Sequence, residues 1–156
     1  MGSYDKKLAE SARPFLDDGE QVLAAFIARP RGWTQSNVGA RNLGTSQMHQ
    51  ARDGATASGF ALASPMALAV TPSRLVTLAI GSPIGLGIGG KVKGIAGSAP
   101  LRNVDSIVMK HLAVGKTITV TINGCPFKLE ANAAAAVKGF VEIFLQAKAT
   151  ATGDTP

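Results

Sequence analysis

A glycine-rich stretch holds the residues whose types and spacing come closest to a known chemistry. Gly85–Lys91 satisfies both G-x-x-x-x-G-K and G-x-G-x-x-G, two patterns of phosphate-binding loops. Both loops need a helix whose N-terminus faces the phosphate, and the first also needs a Ser or Thr after the lysine to hold magnesium. Val92 follows the lysine, and Lys93–Gly97 is too short and glycine-rich for that helix. With 18 glycines in the chain a chance match is easy, so we predict no nucleotide cofactor.

The remaining reactive side chains form no catalytic or metal-binding pattern. Cys125 and His111 could act as a nucleophile and its base, but no third group can be named to orient the histidine. Cys125 is therefore interpreted as a small apolar filler. Asp17 and Asp18 are adjacent in a turn, and His49 stands in a polar stretch, so neither suggests acid/base work or a metal-ligand cluster. We expect a protein that is not an enzyme, with no catalytic residue, no metal and no cofactor.

Basic residues are concentrated in the middle of the chain. The 156 residues carry a net charge of +6, but residues 21–129 contain eleven basic and two acidic residues, a net charge of +9. Such a field favours an anionic partner: a phospholipid surface, nucleic acid or the acidic face of a protein. The simpler interpretation, that the charge only keeps a small protein soluble, has equal weight.

The glycine-rich stretch has a second interpretation, as a membrane-contact loop. Its apolar side chains could enter the interface of a bilayer while each flanking basic side chain adds on the order of 1 kcal/mol on an anionic surface. The membrane-contact candidates are Ile84, Leu86 and Ile88. The candidate anion-binding residues are Arg74, Lys91, Lys93 and Arg102. The alternative, slightly favoured, is that the three apolar side chains fold into the core, and the sequence leaves open whether residues 81–97 form a loop or a strand.

Non-specific nucleic-acid binding by the basic middle is the alternative function. Trp33 follows Arg29, Pro30, Arg31 and Gly32, and an aromatic ring beside basic residues can stack on a nucleobase. A single Trp packing over the rim of the core explains the same residue more simply. Aromatic residues make up only 5% of the chain, and no groove-reading helix is predicted.

Hydrophobic periodicity predicts a helix at each end of the chain. Ser3 can cap a short N-terminal helix that Pro14 ends. Its apolar face is formed by Leu8, Ala12 and Phe15. Asn132 can cap a second helix that runs to about Lys148. The apolar stripe of this helix consists of Val137, Phe140, Val141, Phe144 and Leu145, and its water-facing side includes Lys138, Glu142 and Gln146.

Between the helices, short apolar runs separated by turns predict about seven antiparallel strands. The clearest is 116–122, in which Ile118, Val120 and Ile122 alternate with threonines. Asn123-Gly124 then predicts a two-residue hairpin turn, with Phe127 pointing inward on the returning strand. We expect a mainly β fold, a bent antiparallel sandwich or barrel capped by the C-terminal helix. The expected organisation is a helical extension at 1–18, the domain at 19–148 with a long polar insert at 33–59, and a flexible tail at 149–156.

Four sequence segments, taken in their order along the chain, carry a resemblance to a known family. They are Asp18–Leu23, the hairpin Ala67–Leu75 with its T-x-x-R turn, Pro100–Ile107, and Asn123-Gly124 followed by the terminal helix. Over roughly 19–147 this order resembles the bacterial pleckstrin-homology-like families, including the GRAM-type domains. The departures are the insert and the glycine-rich loop. The resemblance implies a scaffold that binds anionic lipids, peptides or proteins, and a fold of this kind does not fix the ligand.

The same considerations give an expected setting for the protein. The N-terminus lacks the apolar region of a secretory signal, and no run of about 18 apolar residues could span a membrane. One cysteine excludes an intrachain disulfide. We expect a cytoplasmic protein, with peripheral attachment to the inner membrane face under the membrane hypothesis. The expected partner is a protein or an anionic lipid surface, and an open strand edge near Pro126 could support a homo-oligomer.

Overall fold

Two helices frame a seven-stranded sheet in a computed structural model that describes residues 3–30, 53–56, 59–62, 66–80, 92–111, 115–131 and 137–152. Helix α1 is Ser3–Ala12, continued by a 3-10 turn at Arg13–Phe15, and helix α2 is Val137–Thr152. A second 3-10 turn lies at Leu101–Asn103. The strands are β1 Ala24–Pro30, β2 Met66–Val70, β3 Arg74–Ile80, β4 Val92–Pro100, β5 Val104–His111, β6 Lys116–Ile122 and β7 Cys125–Ala131.

The strands follow the order β4-β3-β2-β1-β7-β6-β5, and every neighbouring pair is antiparallel. Strand β1 belongs to both halves, because residues 24–28 pair with β2 and residues 29–30 pair with β7. The first sheet is therefore β1–β4 and the second is β5–β7, folded over a shared core with α2 against it. This is the bent antiparallel sandwich with a C-terminal helix that the sequence predicts. Residues 92–97 of the glycine-rich stretch are strand, and residues 81–91 lie outside the described residues.

The β6–β7 hairpin follows the predicted pattern closely. Ile118, Val120 and Ile122 are fully buried. Asn123 and Gly124 both have positive φ, 51° and 79°, which is the backbone that a right-twisted two-residue hairpin requires. The hairpin predictions are confirmed.

Helix α2 uses a narrower apolar face than its sequence suggests. Val137, Phe140, Phe144 and Ala147 are buried, and the rings of Phe26 and Phe140 meet edge-on with centroids 4.9 Å apart. The prediction that Leu145 joins this stripe is wrong, since its side chain is 57% exposed. The buried positions advance by three, four and three residues, so one line along the helix faces the core and Leu145, about 100° round from its neighbour, does not. The capping residue Asn132 lies outside the described residues.

Helix α1 forms a third layer on the outer face of the first sheet. Leu8 and Ala12 are buried there against a floor of alanine and larger aliphatic side chains. The floor consists of Ala25, Ala67, Ala69, Val76, Leu78, Ile80 and Val92. The hydroxyl of Ser11 also accepts a hydrogen bond of 2.8 Å from the backbone N–H of Val92, which ties the helix to β4. Residues 1–18, expected as an extension to the domain, therefore include a helix that covers one of its faces.

Phe15 does not share the buried face of α1. The helix ends at Ala12, and the following 3-10 turn contains Pro14, so side chains beyond this point no longer keep the 3.6-residue period. Phe15 is 40% exposed, and its predicted place beside Leu8 is wrong.

The C-terminal part of the predicted polar insert and the residues that directly follow it pack into the core. Ala55 and Phe60 are fully buried, and the Phe60 ring stacks on Phe127 of β7 with centroids 5.7 Å apart. The Thr77 hydroxyl donates a hydrogen bond of 2.7 Å to the carbonyl oxygen of Ala61. Residues 53–56 and 59–62, which we call the strap, thus contact the second sheet through Phe60 and the first sheet through Ala61. Residues 31–52, with Trp33 and His49, lie outside the described residues.

A glycine pair in β4 tests how closely the strap approaches. A Cβ atom at Gly97 would lie 2.5 Å from the carbonyl oxygen of Ala61, whereas one at Gly94 would have no atom within 4 Å. We expect Gly97→Ala to lower the free energy of unfolding by about 1–3 kcal/mol, because backbone must move to admit the methyl group. Gly94→Ala is the matched control and should cost nothing. Equal urea midpoints for the two variants would show that the strap does not press on β4.

Candidate interaction surface

Arg74, a candidate anion-binding residue, holds a carboxylate of its own chain. It begins β3, and its guanidinium makes a two-bond ion pair with Glu20: Nη2 to Oε1 at 2.7 Å and Nε to Oε2 at 2.8 Å. The Glu20 side chain is 5% exposed and that of Arg74 is 21% exposed. Two parallel bonds to one carboxylate are the strongest pairing that an arginine makes.

Hydroxyl and backbone groups complete the surroundings of the Glu20 carboxylate. Thr71 Oγ1 and Ser73 Oγ donate to Oε2 at 2.8 and 3.2 Å, and the backbone N–H of Asp17 donates to Oε1 at 3.1 Å. The hydrogen bond from Arg74 is the largest of the influences that lower the pKa of Glu20 to about 2, against the opposing effect of burial. The same contact raises the pKa of Arg74. The positive charge of Arg74 is therefore neutralised inside the protein.

This cluster joins two of the four segments in the sequence resemblance. Glu20 lies in Asp18–Leu23, while Thr71 and Arg74 are the first and last residues of the T-x-x-R turn. The turn closes on itself, with the Thr71 N–H donating to the Arg74 carbonyl at 2.9 Å and the Arg74 N–H donating to Thr71 Oγ1 at 3.1 Å. These contacts tie the segment before β1 to the β2–β3 hairpin. This structural role is enough to explain why the T-x-x-R pattern is present.

The other candidate anion-binding residues are not brought together with Arg74 as one site. Lys93 is exposed near the start of β4, and Arg102 is exposed in the turn after its end. The seven strand steps from Lys93 to Pro100, at about 3.3 Å each, separate these two by roughly 20–25 Å. Lys91 and the membrane-contact candidates Ile84, Leu86 and Ile88 lie outside the described residues.

An open depression of about 570 Å³ lies between α1 and the chain that leads to β1. Its lining includes Glu10, Asp17, Asp18 and Glu20, with Arg13 as the opposing charge. This acidic lining does not suit an anion. Within the described ranges, no three His, Cys, Asp or Glu side chains are placed to hold a metal ion, and no helix has the length and apolar character needed to cross a membrane.

The outer face of the second sheet presents an apolar side chain beside two lysines. Val108 on β5 lies opposite Thr119 on β6, which lies opposite Lys128 on β7. Lys110 is two residues from Val108 and shares its face, roughly 7 Å away. Val108 is 58% exposed, and Lys110 and Lys128 are exposed. We call the group Val108, Lys110, Thr119 and Lys128 the β5 surface.

Sequence reasoning missed the β5 surface because members on different strands are 9 to 20 positions apart along the chain. The burial pattern of β5 alternates unevenly, so Val108 between Ile107 and Met109 looks like part of an apolar run. The prominent N-G turn fixes the β6–β7 register, and Lys128 could have been placed beside Thr119 from it. The pairing of β5 with β6 has no such signal.

The two outermost strands of the described sheet differ in regularity. Strand β4 contains glycines at 94 and 97, ends in Pro100, and its pairing with β3 shifts at two places. Strand β5 keeps one register with β6 over 106–111, and its single irregularity lies between Val104 and Ser106. Bulges, glycine and proline discourage further strand pairing, so β5 is the edge better suited to it.

Comparison with known proteins adds two structural likenesses. No family model matches the chain, and no curated protein matches its sequence. A DUF1696 family protein with a pleckstrin-homology domain from Shewanella loihica PV-4 is 14% identical with a TM-score of 0.48, covering 92% of this chain and 96% of that one. A pleckstrin homology domain from Shewanella amazonensis SB2B is 15% identical with the same TM-score, covering 92% of this chain and 97% of that one.

Proposed function

We propose that this protein is a non-catalytic binding module that docks an acidic region of another protein on the β5 surface. The observation that carries the proposal is the exposed Val108 on the same sheet face as Lys110 and Lys128. A 58% exposed valine on a sheet gains from being covered, and two exposed lysines, which outnumber the half-buried Glu130 on the same face, select a partner with carboxylates. Fold alone does not choose a partner, so the proposal depends on these side chains.

Among the residues that the structure describes, the distribution of basic side chains favours a protein partner over the other anionic candidates. Arg74 is paired with Glu20, and the Lys148 ammonium donates to the Val104 carbonyl at 2.6 Å. The exposed bases Lys93 and Arg102 lie at opposite ends of β4. A membrane surface or a nucleic acid would use a continuous basic stripe, whereas the β5 surface combines charge with an apolar centre. Peripheral attachment through Lys91, Lys93 and the apolar residues at 84–88 remains the competing hypothesis.

A charge-reversal comparison tests the proposal. Binding to immobilised poly-glutamate, standing in for an acidic protein segment, would be measured at physiological salt for Lys110→Glu/Lys128→Glu. The matched control is Arg102→Glu/Lys138→Glu, which makes the same change of net charge at exposed positions elsewhere. We expect the first variant to bind at least about tenfold more weakly and the control to stay within about threefold of the natural chain.

Two outcomes would contradict this proposal. An equal loss of binding in both double variants would mean that poly-glutamate reads only net charge. Retention of the natural chain on phosphatidylglycerol vesicles, lost in Lys93→Glu but kept in Lys110→Glu/Lys128→Glu, would instead support the membrane hypothesis.

A further inference from the structure

The β6–β7 hairpin determines which way the backbone N–H and C=O groups of β5 point. In a two-residue hairpin the residues that flank the turn exchange hydrogen bonds, so Ile122 of β6 directs its N–H and C=O toward Cys125 of β7. Alternate residues of β6 then point the other way, and Thr117, Thr119 and Thr121 bond to β5. Pro126 fits this assignment, since it lies opposite Thr121 and needs no N–H for the ladder.

The alternation continues onto β5. Its residues opposite those threonines, Ser106, Val108 and Lys110, bond to β6. Ile107, Met109 and His111 must therefore direct their N–H and C=O groups away from β6, toward the open side of the strand. The Val104 carbonyl, which has the same orientation, already accepts the Lys148 ammonium of α2. The open run is thus 107–111, and within the described residues no hydrogen bond beyond the β6 ladder is made along it.

We infer that the partner adds an extended, acidic strand to the edge of β5. The inference rests on the proposed function and specifies how the partner binds. Three outward residues offer up to about six backbone hydrogen bonds to one added strand, and a sheet edge with a regular register is the template for such pairing.

The side chains of the β5 surface define what that strand should contain. Val108 and Lys110 lie two residues apart on the same face, and residues of an added strand repeat with the same period. The partner should therefore place an apolar residue beside Val108 and an Asp or Glu two positions away beside Lys110. Cross-strand pairs of this kind, apolar with apolar and opposite charges together, stabilise neighbouring strands.

A suitable probe for this strand pairing is a capped heptapeptide, Thr-Glu-Thr-Val-Thr-Glu-Thr. Its order is the same in both directions, so it serves parallel and antiparallel docking, and one face carries Glu, Val and Glu. Amide hydrogen exchange of the full chain would be followed by NMR with and without the peptide. We expect the amides of Ile107, Met109 and His111 to become at least about tenfold more protected, while those of Val108 and Lys110 are already protected by β6.

A backbone variant with a matched side-chain control completes the experiment. Met109→Pro removes an outward N–H and no ladder bond, as proline does on natural edge strands, and Met109→Ala removes the same side chain but keeps the N–H. We expect the peptide to bind Met109→Pro at least about tenfold more weakly than Met109→Ala. Unchanged protection of β6 amides in both variants confirms that the sheet is intact.

Three results would overturn the inference. Binding without new protection at 107, 109 and 111, or equal binding by the two Met109 variants, means that the partner covers the face without pairing, which leaves the proposed function standing. Absence of binding, or equal binding of the twin peptide with Lys for Glu, excludes an acidic strand, whatever poly-glutamate shows. Protection that rises with protein concentration in the absence of peptide makes a second copy of this chain the occupant.

Discussion

Replacing Arg74 with alanine is expected to lower the free energy of unfolding by about 3 kcal/mol, because the change leaves the Glu20 carboxylate buried without its charged partner. The Glu20 side chain is 5% exposed, and Thr71, Ser73 and the Asp17 N–H cannot neutralise it. Urea denaturation of the natural chain and of Arg74→Ala would measure the loss. Glu20→Gln should cost less, since Arg74 is 21% exposed and can turn toward water.

The same pair predicts a dependence on pH whose sign is determined. The folded state holds the pKa of Glu20 at about 2, below its ordinary value of 4.5, so folding favours the charged carboxylate. The stabilisation is complete above about pH 4.5 and is lost as the pH falls toward 2. The difference in unfolding free energy between the natural chain and Glu20→Gln should therefore shrink across this range. A difference in unfolding free energy that does not change with pH, or an Arg74→Ala chain as stable as the natural one, would show that the Glu20–Arg74 ion pair does not stabilise the fold.

Local signals in the sequence predicted the parts of the fold that depend on neighbouring residues. The alternation of Ile118, Val120 and Ile122 and the N-G turn after them establish a hairpin without further information. The terminal helix follows from the spacing of Phe140 and Phe144 in the same way. In each case the residues that decide the structure lie within about ten positions of one another.

Contacts between distant segments could not be predicted in this way. Helix α1 packs over Ala67 and Ala69. Nothing in the sequence of β2 distinguishes these alanines from those of a strand that no helix covers. The pairing of Glu20 with Arg74 joins residues 54 positions apart, which made Arg74 look free to bind an anion. The β5 surface likewise exists only once β5, β6 and β7 are in register. The charge distribution and the motifs therefore suggested an anionic partner. The proposed binding surface could be located only from the register of the strands in the folded protein.

The strap explains how a polar stretch of sequence becomes part of the core, and Phe60 is the residue that anchors it. Its ring is fully buried in the same cluster as Phe127 and Ala55, whereas the sequence around it is rich in Gly, Ala and Ser and shows no periodicity. A lone aromatic residue in such a stretch can fill a gap that the strands leave between the two sheets.

Phe60→Ala should consequently lower the free energy of unfolding by about 3–5 kcal/mol, the usual cost of emptying a fully buried aromatic site. Phe15→Ala is the matched control, because the same atoms are removed from a side chain that is 40% exposed, and we expect a loss below about 1 kcal/mol. Urea unfolding measures both, and hydrogen exchange at Ala61 and Gly97 reports whether the strap detaches first. If Phe60→Ala lowered the free energy of unfolding as little as Phe15→Ala, the two sheets would close over their core without the strap. The strap would then contribute nothing to the stability of the domain.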